Sequence, residues 1–309
     1  MTVSRFCRAV GLPERTFYAR RARHRADRHI RGPWPTPARD GIRAVVIEVA
    51  LRYPMWGHRK IAWLCRHEHD VQVADATCLR ILREAGLVLP LDYVRERRDL
   101  AGARREAFVE IPTRRNRVWQ TDFFELETSG GGTWRSGDVI DYATKLVLAG
   151  PVSATQTARD ATASVQAAIE EAERLLGRPL INDLTDPDTG ELTPIFLVSD
   201  NGPCFKAAAF ARFIDSRCEL THVRTRRRSP QTNGVIERYH GVIKIEALWR
   251  ELPADGIEMT HMVDEFRHLF NTVRPHEALG GDRPITRYLA DPDQPTGATA
   301  PTRQNVQIP

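Results

Sequence analysis

Three acidic residues stand where a carboxylate needs a reason. Asp122 lies within VWQTDFFELE, between Trp119 and the pair Phe123-Phe124. A carboxylate in such apolar company is costly unless it has a partner or a metal. Asp200 closes the run PIFLVSD and precedes Asn201-Gly202, where the chain must turn. Catalytic groups often sit at the carboxyl end of a buried strand. Glu237 starts a helix after the loop SPQTNG. Each has a plain reading alone: a chance strand Asp, a turn Asp, a Glu favoured at a helix N-terminus. Together they make three hard oxygen donors. Such donors suit Mg²⁺, which prefers carboxylates and water and leaves positions for phosphate. Two ions about 4 Å apart can stabilise both the attacking and the leaving oxygen of a phosphodiester substitution. Asp138 and Asp141 are rival carboxylates in the next strand pattern, and both read as structural.

These acids meet only if particular elements bring them together. VWQTDFFELE is rich in aromatic and β-branched residues and reads as a strand. TSGGGTWRSG is a hairpin loop, and DVIDYA and KLVLAGPVS read as the second and third strands. A long helix follows near 157–176, with Val165, Ala168, Ile169, Ala172, Leu175 and Leu176 at helical spacing. Residues 177–194 read as a loop. PIFLVSD is a strand of the kind buried on both faces. A helix near 205–217, a short strand at 219–223 and a helix near 235–250 complete the series. Three antiparallel strands followed by alternating helix and strand imply a mixed five-stranded α/β sheet with helices. If the first and fourth strands are neighbours, Asp122 and Asp200 face one point and the last helix brings Glu237 to it.

Charge divides the chain. The formal net charge is +5, but residues 1–115 hold 24 basic and 13 acidic residues while 116–309 hold 21 and 27. A basic front half suggests a nucleic-acid-binding module ahead of something else. Residues 1–30 read as two short helices across Gly11-Leu12-Pro13, a helix-turn-helix pattern carrying Arg20 and Arg21. Residues 38–87 read as three more helices, with Arg80 and Arg83 on the third expected to face DNA. The bland reading is that this unit packs on the core or on a second subunit. Residues 88–115 read as a basic linker, 116–252 as the catalytic core, and 253–309 as a helical extension and tail. No apolar run approaches the roughly 20 residues that span a bilayer. The five cysteines form no C-x-x-C pair, so neither a disulfide framework nor a zinc knuckle is expected. A cytoplasmic setting follows.

At these residues a family resemblance emerges. WQTDFF, LVSDNGPCF and SPQTNGVIERYHGVIKIE resemble the three acidic motifs of DDE transposases with a retroviral-integrase-type core. FNTVRPHEALGGDRPITRY (270–288) resembles the closing motif of bacterial insertion-sequence transposases. YPMWGHRKIAWLC and SRFCRAVGLPERTFYARR resemble their upstream segments, so the likeness runs over about 4–288. It implies a ribonuclease H-like fold and metal-dependent DNA cleavage with 3′-OH strand transfer. It also implies two Mg²⁺ or Mn²⁺ ions, with Asp122 and Asp200 bridging them and Glu237 completing one site. The implied partners are double-stranded DNA (element terminal repeats and target), further copies of the chain, and in some relatives a separate upstream-reading-frame protein. The implied location is the bacterial nucleoid.

The sequence departs from the family pattern in places. Between Asp200 and Glu237 lie 36 residues, one more than is commonest. Segment 177–194 is long, and no His/His/Cys/Cys module precedes the core. After the closing motif, no C-terminal β-barrel is expected.

Neighbouring residues take DNA roles on this reading. Lys244 and His240 share a helical face with Glu237, and Arg238 borders it. Arg224, Arg226, Arg227 and Arg228, with Gln231 and Asn233, form a polar basic loop suited to tracking a strand. Arg274, Pro275 and His276 read as packing and shape, with a DNA contact open for Arg274. Two other functions remain: a catalytically silent domesticated DNA-binding protein, and a nuclease of the same fold.

Overall fold

The computed structural model describes residues 2–25, 37–88, 112–224 and 234–290. Helices α1 (Val3–Ala9) and α2 (Glu14–Arg25) form the first unit. Helices α3 (Pro37–Arg52), α4 (His58–Glu68) and α5 (Asp75–Glu84) form the second, around Val46, Ile61, Cys65, Cys78 and Ile81. The basic linker lies largely outside the described residues.

The sheet begins with the hairpin β1 (Val118–Glu127) and β2 (Thr133–Asp141), in the register Asp122↔Asp138. The third strand of the sequence reading is two strands, β3 (Val147–Ala149) and β4 (Val152–Ser153), both antiparallel to β2. Gly150-Pro151 interrupts them, because proline cannot donate to the ladder. β5 (Ile195–Ser199) and β6 (Leu220–Arg224) join in parallel, giving the order β3-β2-β1-β5-β6. This is the mixed sheet expected, with the two-residue β4 added.

Helices cover both faces. On one lie α6 (Ala158–Leu176), α7 (Leu180–Leu184), α8 (Pro203–Lys206) and α9 (Ala208–Asp215), burying Val165, Ala168, Ile169 and Phe210 with Trp119 and Leu197. The N-terminus of α6 is closed by a capping box between Thr157 and Asp160. The segment read as the loop 177–194 thus contains α7, and the helix read at 205–217 is two helices. The other face carries α10 (Gly234–Ile243), its π-helical continuation Lys244–Leu248, and α11 (Gly256–Thr272). Met259, Val263, Phe266 and Phe270 of α11 pack there with Phe124 and Ile140. So α11 is part of the core rather than an extension from 253. A final helix, α12 (Pro284–Leu289), seats Tyr288, whose hydroxyl donates to Asn116 at 2.9 Å.

Arg115, read as the end of a basic linker, is a buried clamp. Its guanidinium grips Asp183 at 2.6 and 3.1 Å and donates to the carbonyl of Tyr288. Desolvation opposes ionisation of Asp183, but the bonds from Arg115, Asn116 and Arg178 outweigh it and hold the carboxyl down to about 2.

Candidate active site

The site forms where β1 and β5 run side by side. Their parallel register pairs Thr121 with Ser199, so Asp122 and Asp200 are the next residues on adjacent strands. The neighbourhood the sequence required is therefore present. Phe123 N–H donates to Asp122 Oδ1 at 2.8 Å, and Gly202 N–H donates to Asp200 Oδ1 at 2.8 Å. A side chain at position 202 would put its Cβ 2.9 Å from that oxygen, so the turn after Asp200 favours glycine.

The start of helix α10 is tied to β1 by the side chain of Gln120. Gln120, wholly buried, accepts from Val235 N–H at 3.2 Å and Ile236 N–H at 3.0 Å. Those amides are orphan donors of the first helical turn. Gln120 and Asp122 point to the same face of β1, so the helix start is tied two residues from Asp122. Glu237, the next residue, is exposed in that first turn.

Electrostatics single out Asp122. Burial is the main cause that raises its carboxyl to about 6, and the charges of Asp200 and Asp138 add to the rise. His240 and the Phe123 amide pull it back. A half-buried carboxylate beside two others is an excess of negative charge that a hard divalent cation would offset. The oxygen donors Asp122 and Asp200 fit such an ion. Among the described residues, no three His, Cys, Asp or Glu side chains converge closely enough to hold one.

The structure corrects one assignment on this helix. His240 does not face outward with Glu237; it is 8% exposed. Its Nε2 lies 2.9 Å from Asp138 Oδ2 and its Nδ1 lies 3.9 Å from Asp122 Oδ2. The helix presses this face onto β1 and β2, so the ring is enclosed and not available to DNA. Lys244 remains at the surface side, with Nζ 5.2 Å from the centre of the Phe124 ring. Arg238, Arg224, Arg20, Arg21, Arg80 and Arg83 are exposed. Arg226, Arg227, Arg228, Gln231 and Asn233 lie outside the described residues.

Asp141 is structural, as read: it accepts from the amides of Asn116 and Thr144 and from the Thr144 hydroxyl, at 2.7–2.8 Å. Two further histidines of the core also find partners. His222 Nε2 meets Ser199 Oγ at 2.8 Å, and His276 stacks edge-on against Phe270. Burial is the main cause that lowers His276 to about 3, so it is a neutral packing ring. Arg274 is buried and ion-paired to Glu246 at 2.8 Å, which rules it out as a DNA contact in this conformation.

Two family models, both described as an integrase core domain, match residues 112–230 and 219–284. Together they span more than half of the chain, including all three acids. The chain carries an integrase core domain over residues 112–284 and resembles insertion-sequence transposases. A protein of insertion element IS476 from Xanthomonas euvesicatoria, itself described as uncharacterized, is 24% identical over 279 residues, 89% of this chain and 69% of that one. The catalytic core of HTLV-2 integrase in complex with magnesium is similar in fold at 19% identity, with a TM-score of 0.39, covering 57% of this chain and 97% of that one. A simian T-cell lymphotropic virus intasome chain, solved with a PP2A regulatory subunit, is 16% identical with a TM-score of 0.47, covering 84% and 80%. The integrase core and the insertion-element relative together support a function in DNA transposition. No described helix is long and apolar enough to cross a membrane.

Proposed function

We propose that this transposase cuts DNA at the ends of a mobile element and joins the freed 3′-OH to target DNA. The observation that supports it most is the parallel register of β1 and β5, which sets Asp122 beside Asp200 under the helix that carries Glu237. Asp122 and Asp200 would hold Mg²⁺ or Mn²⁺, two ions in all, with Glu237 completing one site. Bound there, the ions supply charge stabilisation at the attacking and the leaving oxygens. The chain's own residues do the rest. Gln120 keeps the start of α10 against β1, so Glu237 stays near the aspartates. Lys244, braced over Phe124, meets the phosphate beside the reacting bond. Arg238 and the loop residues Arg226, Arg227 and Arg228, with Gln231 and Asn233, line the strand path. Arg20, Arg21, Arg80 and Arg83 grip the terminal repeats through phosphates. The chain acts as a homo-oligomer, because two DNA ends must be paired, with an upstream-reading-frame protein as an optional partner. No Ser or Tyr nucleophile is needed.

The test is the full chain, wild type and Asp200→Asn, on DNA carrying the element's terminal repeats with Mg²⁺. Wild type should cleave and join, and the variant should lose both by at least about a hundredfold. Near-wild-type activity in the variant would refute the assignment. Cleavage without joining by wild type would indicate a nuclease. Binding without cleavage would indicate a silent DNA-binding protein.

A further inference from the structure

Asp138 has no role in the reaction as proposed, yet its placement is costly. It is 0% exposed and lies directly across the hairpin from Asp122. Like charges on directly opposed residues of an antiparallel pair destabilise a sheet, and a buried carboxylate needs compensation. The surroundings are fitted to it. Ser136 Oγ donates to Asp138 Oδ1 at 2.9 Å. At Gly150, any Cβ would stand 2.5 Å from the same oxygen. The other oxygen, Oδ2, approaches His240 Nε2 at 2.9 Å, and the far side of that ring faces Asp122 Oδ2 at 3.9 Å. The 2.9 Å approach is off the line of a directed hydrogen bond. Asp138 Oδ2, His240 Nε2 and the Tyr239 hydroxyl are therefore buried without a directed partner among the described residues. The ring is held edge-on to Phe124, with centroids 5.0 Å apart. The chain Ser136–Asp138–His240 thus ends on Asp122, and Asp138 is too enclosed to reach substrate itself.

We infer that Asp138 and His240 are positioning residues, which fix the carboxylate of Asp122 in the direction it needs to hold a divalent cation. The inference rests on Asp122 being a metal ligand. Groups that orient a metal-binding side chain typically change metal affinity by 10–100-fold when replaced. A pair kept only for packing would behave otherwise, because replacing both members of a buried polar pair by apolar groups is often neutral for stability.

The experiment uses the full chain and the double variant Asp138→Leu/His240→Phe, with Mn²⁺ alone titrated in by calorimetry and thermal melting run beside it. We expect a melting temperature near wild type and Mn²⁺ binding weakened about tenfold or more. His240→Gln, which keeps a side-chain donor towards Asp138, should lose less affinity than His240→Phe. If the double variant does not fold, the isosteric Asp138→Asn serves instead and should weaken Mn²⁺ binding in the same direction. Wild-type Mn²⁺ affinity in the folded variants would overturn the positioning role. Asp122→Asn separates the two readings. If it leaves Mn²⁺ binding unchanged, the metal assignment itself fails. If it abolishes binding while the positioning variants are unaffected, only this inference fails.

Discussion

At the scale of single residues, charge cost explains most of what is unusual. Asp122 and Asp183 are both largely buried carboxylates, yet they differ in sign. Asp122 is raised to about 6 mainly by burial, with Asp200 and Asp138 adding to the rise, whereas Asp183 accepts from Arg115, Asn116 and Arg178 and is lowered to about 2. The difference predicts an acid transition. A free Asp titrates near 3.9, so the folded value of Asp183 lies below the unfolded one. Its stabilisation is present above about pH 4 and fades as pH falls towards 2. The stability gap between wild type and Asp183→Asn should be about 3 kcal/mol near neutrality and shrink across that interval. Urea melts at several pH values measure it, and a gap constant down to pH 2 would contradict the clamp. The acids of the candidate triad were legible in the sequence because a strand Asp among aromatics is conspicuous. His240 was misread because i, i+3 spacing tells which residues share a helical face, but not which sector of that face meets the sheet.

At the scale of elements, the informative parts are those that end or interrupt a pattern. β3 is an edge strand of three residues, and its outward backbone groups need partners. Asn271 of α11 supplies both: Val147 N–H donates to its Oδ1 at 3.0 Å, and its Nδ2 donates to the Val147 carbonyl at 2.8 Å. Asn271→Ala should cost about 2–4 kcal/mol, since two buried backbone groups lose their partners. It should also speed hydrogen exchange at Val147. A change within about 0.5 kcal/mol, the usual range for surface sites, would show that the edge is satisfied otherwise. The hairpin was readable from its glycines, and α6 from its apolar spacing. The break at Gly150-Pro151 was visible as residues, but it was read through because the flanking segments share one apolar pattern.

At the scale of the whole molecule, the closing motif docks the second helical unit onto the core. Glu246 stands at the join. It accepts from Trp56 Nε1 at 2.8 Å and from Arg274 at 2.8 and 3.0 Å. Leu269 and Val273 pack into the helical unit's own core. Gly281, at φ +98°, lets Trp63 approach where a Cβ would stand 2.6 Å from the indole nitrogen. Arg283 lies over the Trp63 ring at 5.3 Å and pairs with Glu68. Glu246→Ala leaves Arg274 buried without that partner and should cost about 3–5 kcal/mol. Trp56→Phe removes one hydrogen bond and should cost about 1 kcal/mol. Chemical denaturation ranks the two, and equal costs would argue against a shared lock. Arg80 and Arg83 stay exposed on α5 in this docked arrangement. If both contact phosphates, the double alanine variant should flatten the log–log salt dependence of DNA binding by about 2 units. An unchanged slope would place DNA elsewhere on this unit.

The sequence by itself determined the acid motifs, most of the long elements and the mixed character of the sheet. Those features are local: periodicity, turn residues and short motifs are written in neighbouring positions. Only the tertiary structure decided which side chains face each other across the fold. His240 turning to Asp138, Glu246 joining Trp56 to Arg274, and Arg115 clamping Asp183 each depend on strand register, helix rotation or the docking of distant segments. The paired residues Trp56 and Glu246 stand 190 positions apart, and no local pattern encodes a contact at that separation. Burial then sets the energetic weight of such contacts, since removing water makes a matched pair stabilising and an unmatched charge expensive.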